Sequence, residues 1–377
     1  MKEKRTIIKK LISVAITAMI FLIVLELCTR IDDKIKYDAP LFETYKNSRL
    51  RSFDDEGLRY NLPNTRFEKW TNNEYGFRGP AFDLEKPDSI TRVVCLGTSE
   101  TYGSFESPGK EWPAQLSDFL NQNDSFQVIN ASAVGLGMQR YTEYMEKHVF
   151  KFGPDIVILF INPQLEMTEL IYHPDGTPIV KKNPAKSGNS KSFGLKDIKE
   201  NFRIFAKTWQ MIKQFVPNWL LELYQNRDRI KKIKQQEDQY LKGEKPLDTI
   251  PLEVQNSFKG NLENIVSDLK DRGIRVILAT YPCLISKDNI DKYPLVFMEY
   301  RRFSIFLSNL GMADASAVAD SLNQVVATEY ETGFVNCNIL VPKDTDHYGD
   351  NVHLYDNGSE IVAKALADYI ATFYMKK

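Results

Sequence analysis

Three short runs constrain the fold of this chain more than any other feature: Arg92–Leu96, Asp155–Ile161 and Ile274–Thr280 are β-branched or apolar almost throughout. A strand with one wet face alternates apolar and polar side chains. A strand that does not alternate is buried on both faces, as in a parallel sheet between helix layers. Phe126–Ile129 reads as a further strand. Helical spacing fills the intervals at Glu111–Asn121, Gln139–Phe152 and Leu262–Arg272, the last ended by Gly273, and Pro282 closes the strand Ile274–Thr280. Further on, Tyr293–Leu310 reads as a helix ended by Gly311 and Met312–Ala315 as a short strand. Gly358–Tyr374 carries Ile361, Ala365, Leu366, Tyr369 and Ile370 at helical spacing. Strands alternating with helices predict an α/β fold, a three-layer α/β/α sandwich around a parallel sheet. Ligands of such sheets bind beyond the carboxyl ends of the strands.

The N-terminus adds a second constraint. Lys2, Lys4, Arg5, Lys9 and Lys10 precede Leu11–Thr29, in which Glu26 is the only charge. A helix crosses a bilayer with roughly 20 apolar residues, and basic residues ahead of it keep the N-terminus in the cytoplasm. No A-x-A cleavage site follows, and Glu26 and Leu27 stand where a lipoprotein site at Cys28 favours small residues, so the run reads as an uncleaved anchor. Glu26 lies near the helix end, where its carboxylate reaches the interface. The division is then a cytoplasmic tail (1–10), a transmembrane anchor (11–29), a polar linker (30–70) and a domain over 71–377. That domain carries a mostly helical insertion at about 165–250, with Trp209, Phe215, Trp219, Leu220, Leu223 and Tyr224 as its apolar part.

Among the 377 residues the net charge of −1 gives no reason to expect nucleic acid as a partner. Cys28, Cys95, Cys283 and Cys337 show no metal-site spacing. They read as core thiols, with a Cys283–Cys337 bridge as the alternative outside the cytosol.

Two segments carry chemistry. In Val93–Gly103 an apolar strand runs into Gly97-Thr98-Ser99 and then toward a helix, so Ser99 sits at the carboxyl end of a sheet strand. Its backbone N–H is free there to face a developing oxyanion, although a serine at such a turn also serves as an ordinary cap. Near the C-terminus, Asp350 and His353 stand three residues apart before the last helix. A serine hydroxyl needs a base. Histidine, with an unperturbed pKa of about 6.5, suits that role, and a carboxylate on its other nitrogen fixes the tautomer. A solvent-exposed histidine beside a helix-capping aspartate is the bland reading of the same residues. Glu100 and Glu106 read as solvated carboxylates, with Glu100 able to tune the pocket. His148 reads as structural, and His347 as a surface or substrate contact; His173 is the fourth histidine.

Together these segments resemble the SGNH/GDSL hydrolases. Gly97-Thr98-Ser99-Glu100-Thr101-Tyr102-Gly103 is similar to the family's G-D-S-x-T-x-G block with Thr98 for the usual Asp, and Asp350–His353 is similar to its D-x-x-H block. Asn73–Gly79, NEYGFRG, resembles bacterial membrane-anchored members. The resemblance spans about Asn72 to Tyr374, with the insertion as its weakest part. It implies an SGNH/flavodoxin-like sheet, and Ser99 as nucleophile, His353 as base and Asp350 as its orienter. The oxyanion hole would be formed by Ser99, by Gly135 in Asn130–Gly137, and by a side-chain amide. The family's G-x-N-D block reads Asn162-Pro163-Gln164-Leu165 here, so either Gln164 or Asn162 supplies that amide. No metal and no cofactor is implied. The implied activity is an extracytoplasmic serine esterase, acting on O-acetyl groups of polysaccharide or another envelope ester through an acyl-enzyme. The alternatives are an O-acyltransferase with the same triad, and a non-catalytic binding module of the same fold.

Overall fold

The computed structural model describes residues 2–37, 41–42, 50–67, 69–121, 125–172, 202–204, 208, 230–293, 296, 300–301 and 303–374. In chain order the elements are α1 (Lys2–Tyr37), β1 (Arg51–Phe53), β2 (Arg59–Asn61), β3 (Arg66–Phe67), β4 (Trp70–Thr71), β5 (Thr91–Gly97), α2 (Ser99–Tyr102), α3 (Trp112–Leu120) and β6 (Phe126–Asn130). There follow α4 (Tyr141–His148), β7 (Ile156–Phe160), α5 (Pro163–Tyr172), α6 (Leu252–Asp271), β8 (Arg275–Ala279), α7 (Asn309–Glu329), β9 (Gly333–Val335), α8 (Cys337–Leu340) and α9 (Asp356–Tyr374). They fall into two compact units.

The smaller unit holds α1, the β3–β4 hairpin and residues 202–204. Residues Ile12–Lys36 of α1 are long and apolar enough to cross a membrane. The helix continues to Tyr37, into the stretch expected to be linker. Glu26 of this helix is buried. Its carboxylate pairs with Arg30 Nε at 2.6 Å and accepts the backbone N–H groups of Arg203 and Ile204 at 3.0 and 2.9 Å. Asp33 pairs with Arg203 Nε at 2.5 Å.

The larger unit is an α/β sandwich built on a five-stranded sheet of order β6-β5-β7-β8-β9. All four pairings are parallel. Every residue of the central strand β7 is buried, so both faces of the sheet are covered. Helices α3 and α9 pack on each other and on β6 and β9, while α5, α6 and α7 form a second group against β8. Strand order reverses at β5, which has β6 on one side and β7 on the other, and the crevice at such a switch point is where these sheets bind ligands.

Two expectations fail. The helix Tyr293–Leu310, parts of which lie outside the described residues, does not end at Gly311. Ser308 caps a new helix instead, its Oγ accepting the Gly311 N–H at 3.1 Å, so Gly311 and Met312–Ala315 are helical rather than terminator and strand. Glycine is required there because a Cβ would stand 2.1 Å from the Leu247 carbonyl oxygen. The second failure is the linker. Residues 51–65 belong to the larger unit, with β1 and β2 paired antiparallel. Most of the insertion, including its aromatic residues and His173, lies outside the described residues.

Candidate active site

Strand β5 ends at Gly97, and Ser99 opens α2 two residues later. A Cβ at Gly97 would stand 2.0 Å from Thr101 Oγ1 and 2.9 Å from the Phe160 carbonyl oxygen, so no other residue fits this turn. Being first in its helix, the Ser99 N–H has no intrahelical acceptor. Arg78 braces the turn from beneath. Its Nη1 donates to the carbonyls of Tyr102, at 2.6 Å, and Gly103, and its Nη2 lies 3.1 Å from Glu111 Oε2, with both side chains buried. The NEYGFRG segment delivers that arginine. Asn73 Oδ1 accepts the N–H groups of Tyr75 and Phe77, each at 3.0 Å, and Gly76 turns with φ +82° where a Cβ would meet the Asn61 carbonyl oxygen at 2.4 Å.

The loop before α9 is shaped by Asp350. Its Oδ1 accepts the backbone N–H groups of Val352 and His353, each at 2.8 Å, and this turn brings its Oδ2 to 2.7 Å from His353 Nδ1. Asn351 ties the loop down, accepting the Ile285 N–H at 3.1 Å and donating to Gln164 Oε1 at 2.6 Å. His353 Nε2 then lies 2.9 Å from Ser99 Oγ, across 254 positions of sequence. The structure thus brings Ser99, His353 and Asp350 into one hydrogen-bonded line at the carboxyl ends of the strands.

Gly135 lies in the loop after β6 with φ +74°, and a Cβ there would press on Arg59 Nη1 at 3.0 Å. The β1–β2 hairpin clamps this loop, with Arg59 Nη1 donating to Val134 O at 3.1 Å and Asn61 Nδ2 donating to Ser132 O at 2.7 Å. Sequence reasoning missed Arg59 and Asn61, since nothing in a mixed polar segment marks the carbonyls it will meet.

The two candidate amides differ sharply. Gln164 is fully buried, and its Nε2 donates to Met312 O and Ser316 Oγ, each at 3.1 Å. Its amide is tied to α7 on one side and to Asn351 on the other, so it supports the Asp350–His353 loop. Asn162 caps α5, its Oδ1 accepting the Leu165 N–H at 3.1 Å. Its Nδ2 donates to Glu100 Oε1 at 3.2 Å and to the Tyr300 hydroxyl at 3.1 Å, so its N–H groups are engaged as well; what sets it apart is that Glu100 Oε1 lies 3.8 Å from His353 Nε2, beside the triad.

Glu100 and Glu106 are not solvated as the sequence suggests; their exposures are 4% and 1%. Burial pushes the Glu106 carboxyl up to about 7, against the Ser359 hydrogen bond, which works in the opposite direction. Burial also opposes charging of His353, but the Asp350 hydrogen bond and the carboxylates of Glu100, Asp350 and Glu106 outweigh it and hold the imidazole at about 9. Burial would raise Asp350, yet the hydrogen bond and charge of His353 bring it below the usual carboxylate range. Elsewhere, His347 Nδ1 pairs with Asp344 Oδ1 at 2.7 Å, and His148 packs against the rings of Tyr60 and Tyr144. All four cysteines are free.

No protein-family model matches the chain, and no curated protein matches it by sequence. Among solved structures it is similar to a catalytic mutant of an acetylxylan esterase from Geobacillus stearothermophilus, at 14% identity and a TM-score of 0.43, covering 76% of this chain and 96% of that one. It is also similar to a protein from Desulfitobacterium hafniense described as lipolytic and of the G-D-S-L family, at 12% identity and a TM-score of 0.40, covering 74% and 99%. Likeness at these values leaves function to be read from the side-chain geometry of the chain itself.

Proposed function

We propose that this chain is a membrane-anchored serine hydrolase of carboxylic esters, of the SGNH/GDSL type. The observation that carries the reading is the unbroken line from Ser99 Oγ through the His353 ring to Asp350, at 2.9 and 2.7 Å. Ser99 Oγ attacks the ester carbonyl carbon while His353 Nε2 takes the hydroxyl proton, and Asp350 stabilises the imidazolium. The carbonyl oxygen becomes an oxyanion facing the N–H groups of Ser99 and Gly135, and the Asn162 amide joins them by exchanging its bond to Glu100 for one to the oxyanion. Collapse breaks the ester C–O bond, the alcohol leaves with the proton from His353, and an acyl-Ser99 remains. Water, deprotonated by His353, then releases the carboxylate and restores the serine.

The basic residues ahead of α1 support a cytoplasmic N-terminus with the larger unit outside. That location and the family resemblance favour O-acetyl groups of an envelope glycan as substrate. The test is turnover of a nitrophenyl acetate by the full chain, with and without acceptor oligosaccharide. Hydrolysis that falls about 10⁴-fold or more in Ser99→Ala supports the reading. Unchanged activity in that variant sinks it, and acyl transfer to sugar exceeding hydrolysis replaces it with an acyltransferase.

A further inference from the structure

Glu100 sits next to the nucleophile in sequence and is almost wholly buried, at 4% exposure. Its Oε2 accepts a hydrogen bond from Thr98 Oγ1, and its Oε1 accepts one from Asn162 Nδ2 at 3.2 Å. The same Oε1 lies 3.8 Å from His353 Nε2. Among the described residues no lysine or arginine is within ion-pair distance of this carboxylate; the one side chain there that can carry positive charge is His353. A buried carboxylate without a counter-charge is costly, so the pair is stable when the imidazole carries its proton.

The other groups around the pair do not supply that charge. His353 faces Asp350 on its own loop, Glu106 on the segment after α2, and the Phe105 ring, which packs edge-on at 5.0 Å. Arg78 acts on Glu106 and is itself paired with Glu111. On the far side, Glu100 acts on the Tyr300 and Tyr141 phenols and the Cys283 thiol, which burial keeps in their neutral forms.

We infer that Glu100 is a positioning residue with two contacts: it holds His353 charged between turnovers, and it holds the Asn162 amide beside the catalytic imidazole. The charged resting state would withhold the base at neutral pH, since an imidazolium cannot take the serine proton. Against burial, the Asp350 hydrogen bond is the larger cause that raises His353 to about 9, and the Glu100 charge adds to it in the same direction. The kinetic half of the inference rests on the esterase reading; the charge pairing does not.

The experiment uses the full chain in detergent, with histidine labelled at Cε1 and the resonance of His353 assigned by its loss in His353→Gln. Its titration is followed by NMR in the wild type, Glu100→Gln and Glu100→Ala, alongside kcat/KM for a nitrophenyl acetate from neutral to alkaline pH. In the wild type the resonance and the rise of kcat/KM share a midpoint near 9. In both variants the midpoint falls by about one pH unit or more, a roughly tenfold gain in neutral imidazole at neutral pH. Glu100→Gln, which keeps an acceptor for Asn162, retains the alkaline plateau, and Glu100→Ala lowers it. A resonance midpoint that is the same in wild type and Glu100→Gln overturns the inference, whatever the turnover. Absence of turnover at every pH, with the resonance still shifted in Glu100→Gln, removes the esterase reading and leaves the pairing standing.

Discussion

Asn162 and Gln164 are two residues apart, and replacing them separately should produce phenotypes that differ in kcat. Gln164→Leu keeps the volume of a fully buried side chain but removes three hydrogen bonds, to Met312 O, Ser316 Oγ and Asn351 Nδ2. The Asn351 donor is left without that partner in the core, which costs about 1–3 kcal/mol, and the two lost bonds to α7 add about 1 kcal/mol more. For a unit of this size each kcal/mol lowers the melting temperature by roughly 2–4 °C, so a fall of roughly 4–16 °C is expected. Asn162→Ser keeps a capping oxygen for α5 but takes the amide from Glu100 and Tyr300, so by the same reasoning it costs about 1–3 kcal/mol. What distinguishes the two variants is kcat, which loss of that oxyanion donor should lower by about 10²–10³, equivalent to about 2.7–4 kcal/mol of barrier, while Gln164→Leu changes it little. Thermal unfolding and nitrophenyl acetate kinetics on both variants check this. A Gln164→Leu protein that melts with the wild type yet loses 10²-fold or more in kcat, beside an Asn162→Ser protein of normal kcat, would refute the assignment of the hole donor.

Two further outcomes follow from the same geometry. His353 has its folded pKa raised to about 9, above its unfolded value of about 6.5, so the stability from its pairing is fully present below about pH 6.5 and is lost as pH rises through about 9. The melting-temperature gap between wild type and His353→Gln should therefore be widest near about pH 6 and close above about pH 9, and a gap that widens with pH would contradict the assignment. Arg78→Met leaves Glu111 buried without its partner and two carbonyls of the α2 turn without their donor, which should cost about 3–5 kcal/mol in chemical unfolding. A second change, Glu111→Met, should recover much of that loss, whereas no recovery would mean that the ion pair is not what holds the turn.

The parts of this molecule that were legible in the sequence are those written in local pattern. β5, β7 and β8 are apolar on both faces and so declared a sandwiched sheet, and the serine turn and Asp-x-x-His loop are short enough to be shaped by their own backbone contacts. β9 was not legible, because three residues, Gly333–Val335, are too few to show a period. The start of α7 was misread because Gly311 suggests a helix end, and its real reason is the approach of the Leu247 backbone, 64 positions away. The same holds for the amides. Asn162 and Gln164 have equivalent donors in sequence, and only the position of Asn351 and of α7 shows that Gln164 is engaged elsewhere. Burial of Glu100 and Glu106 was likewise invisible, because the residues that enclose them come from distant parts of the chain.

The central claim is that Ser99 is an activated nucleophile because His353 and Asp350 stand behind it. Labelling of the full chain by a fluorophosphonate probe, read by intact mass and peptide mapping, tests this before any natural substrate is known. One adduct on Ser99, absent in Ser99→Ala and in His353→Ala, is the predicted result. A folded chain that takes no label at alkaline pH, or takes it equally in His353→Ala, would contradict it.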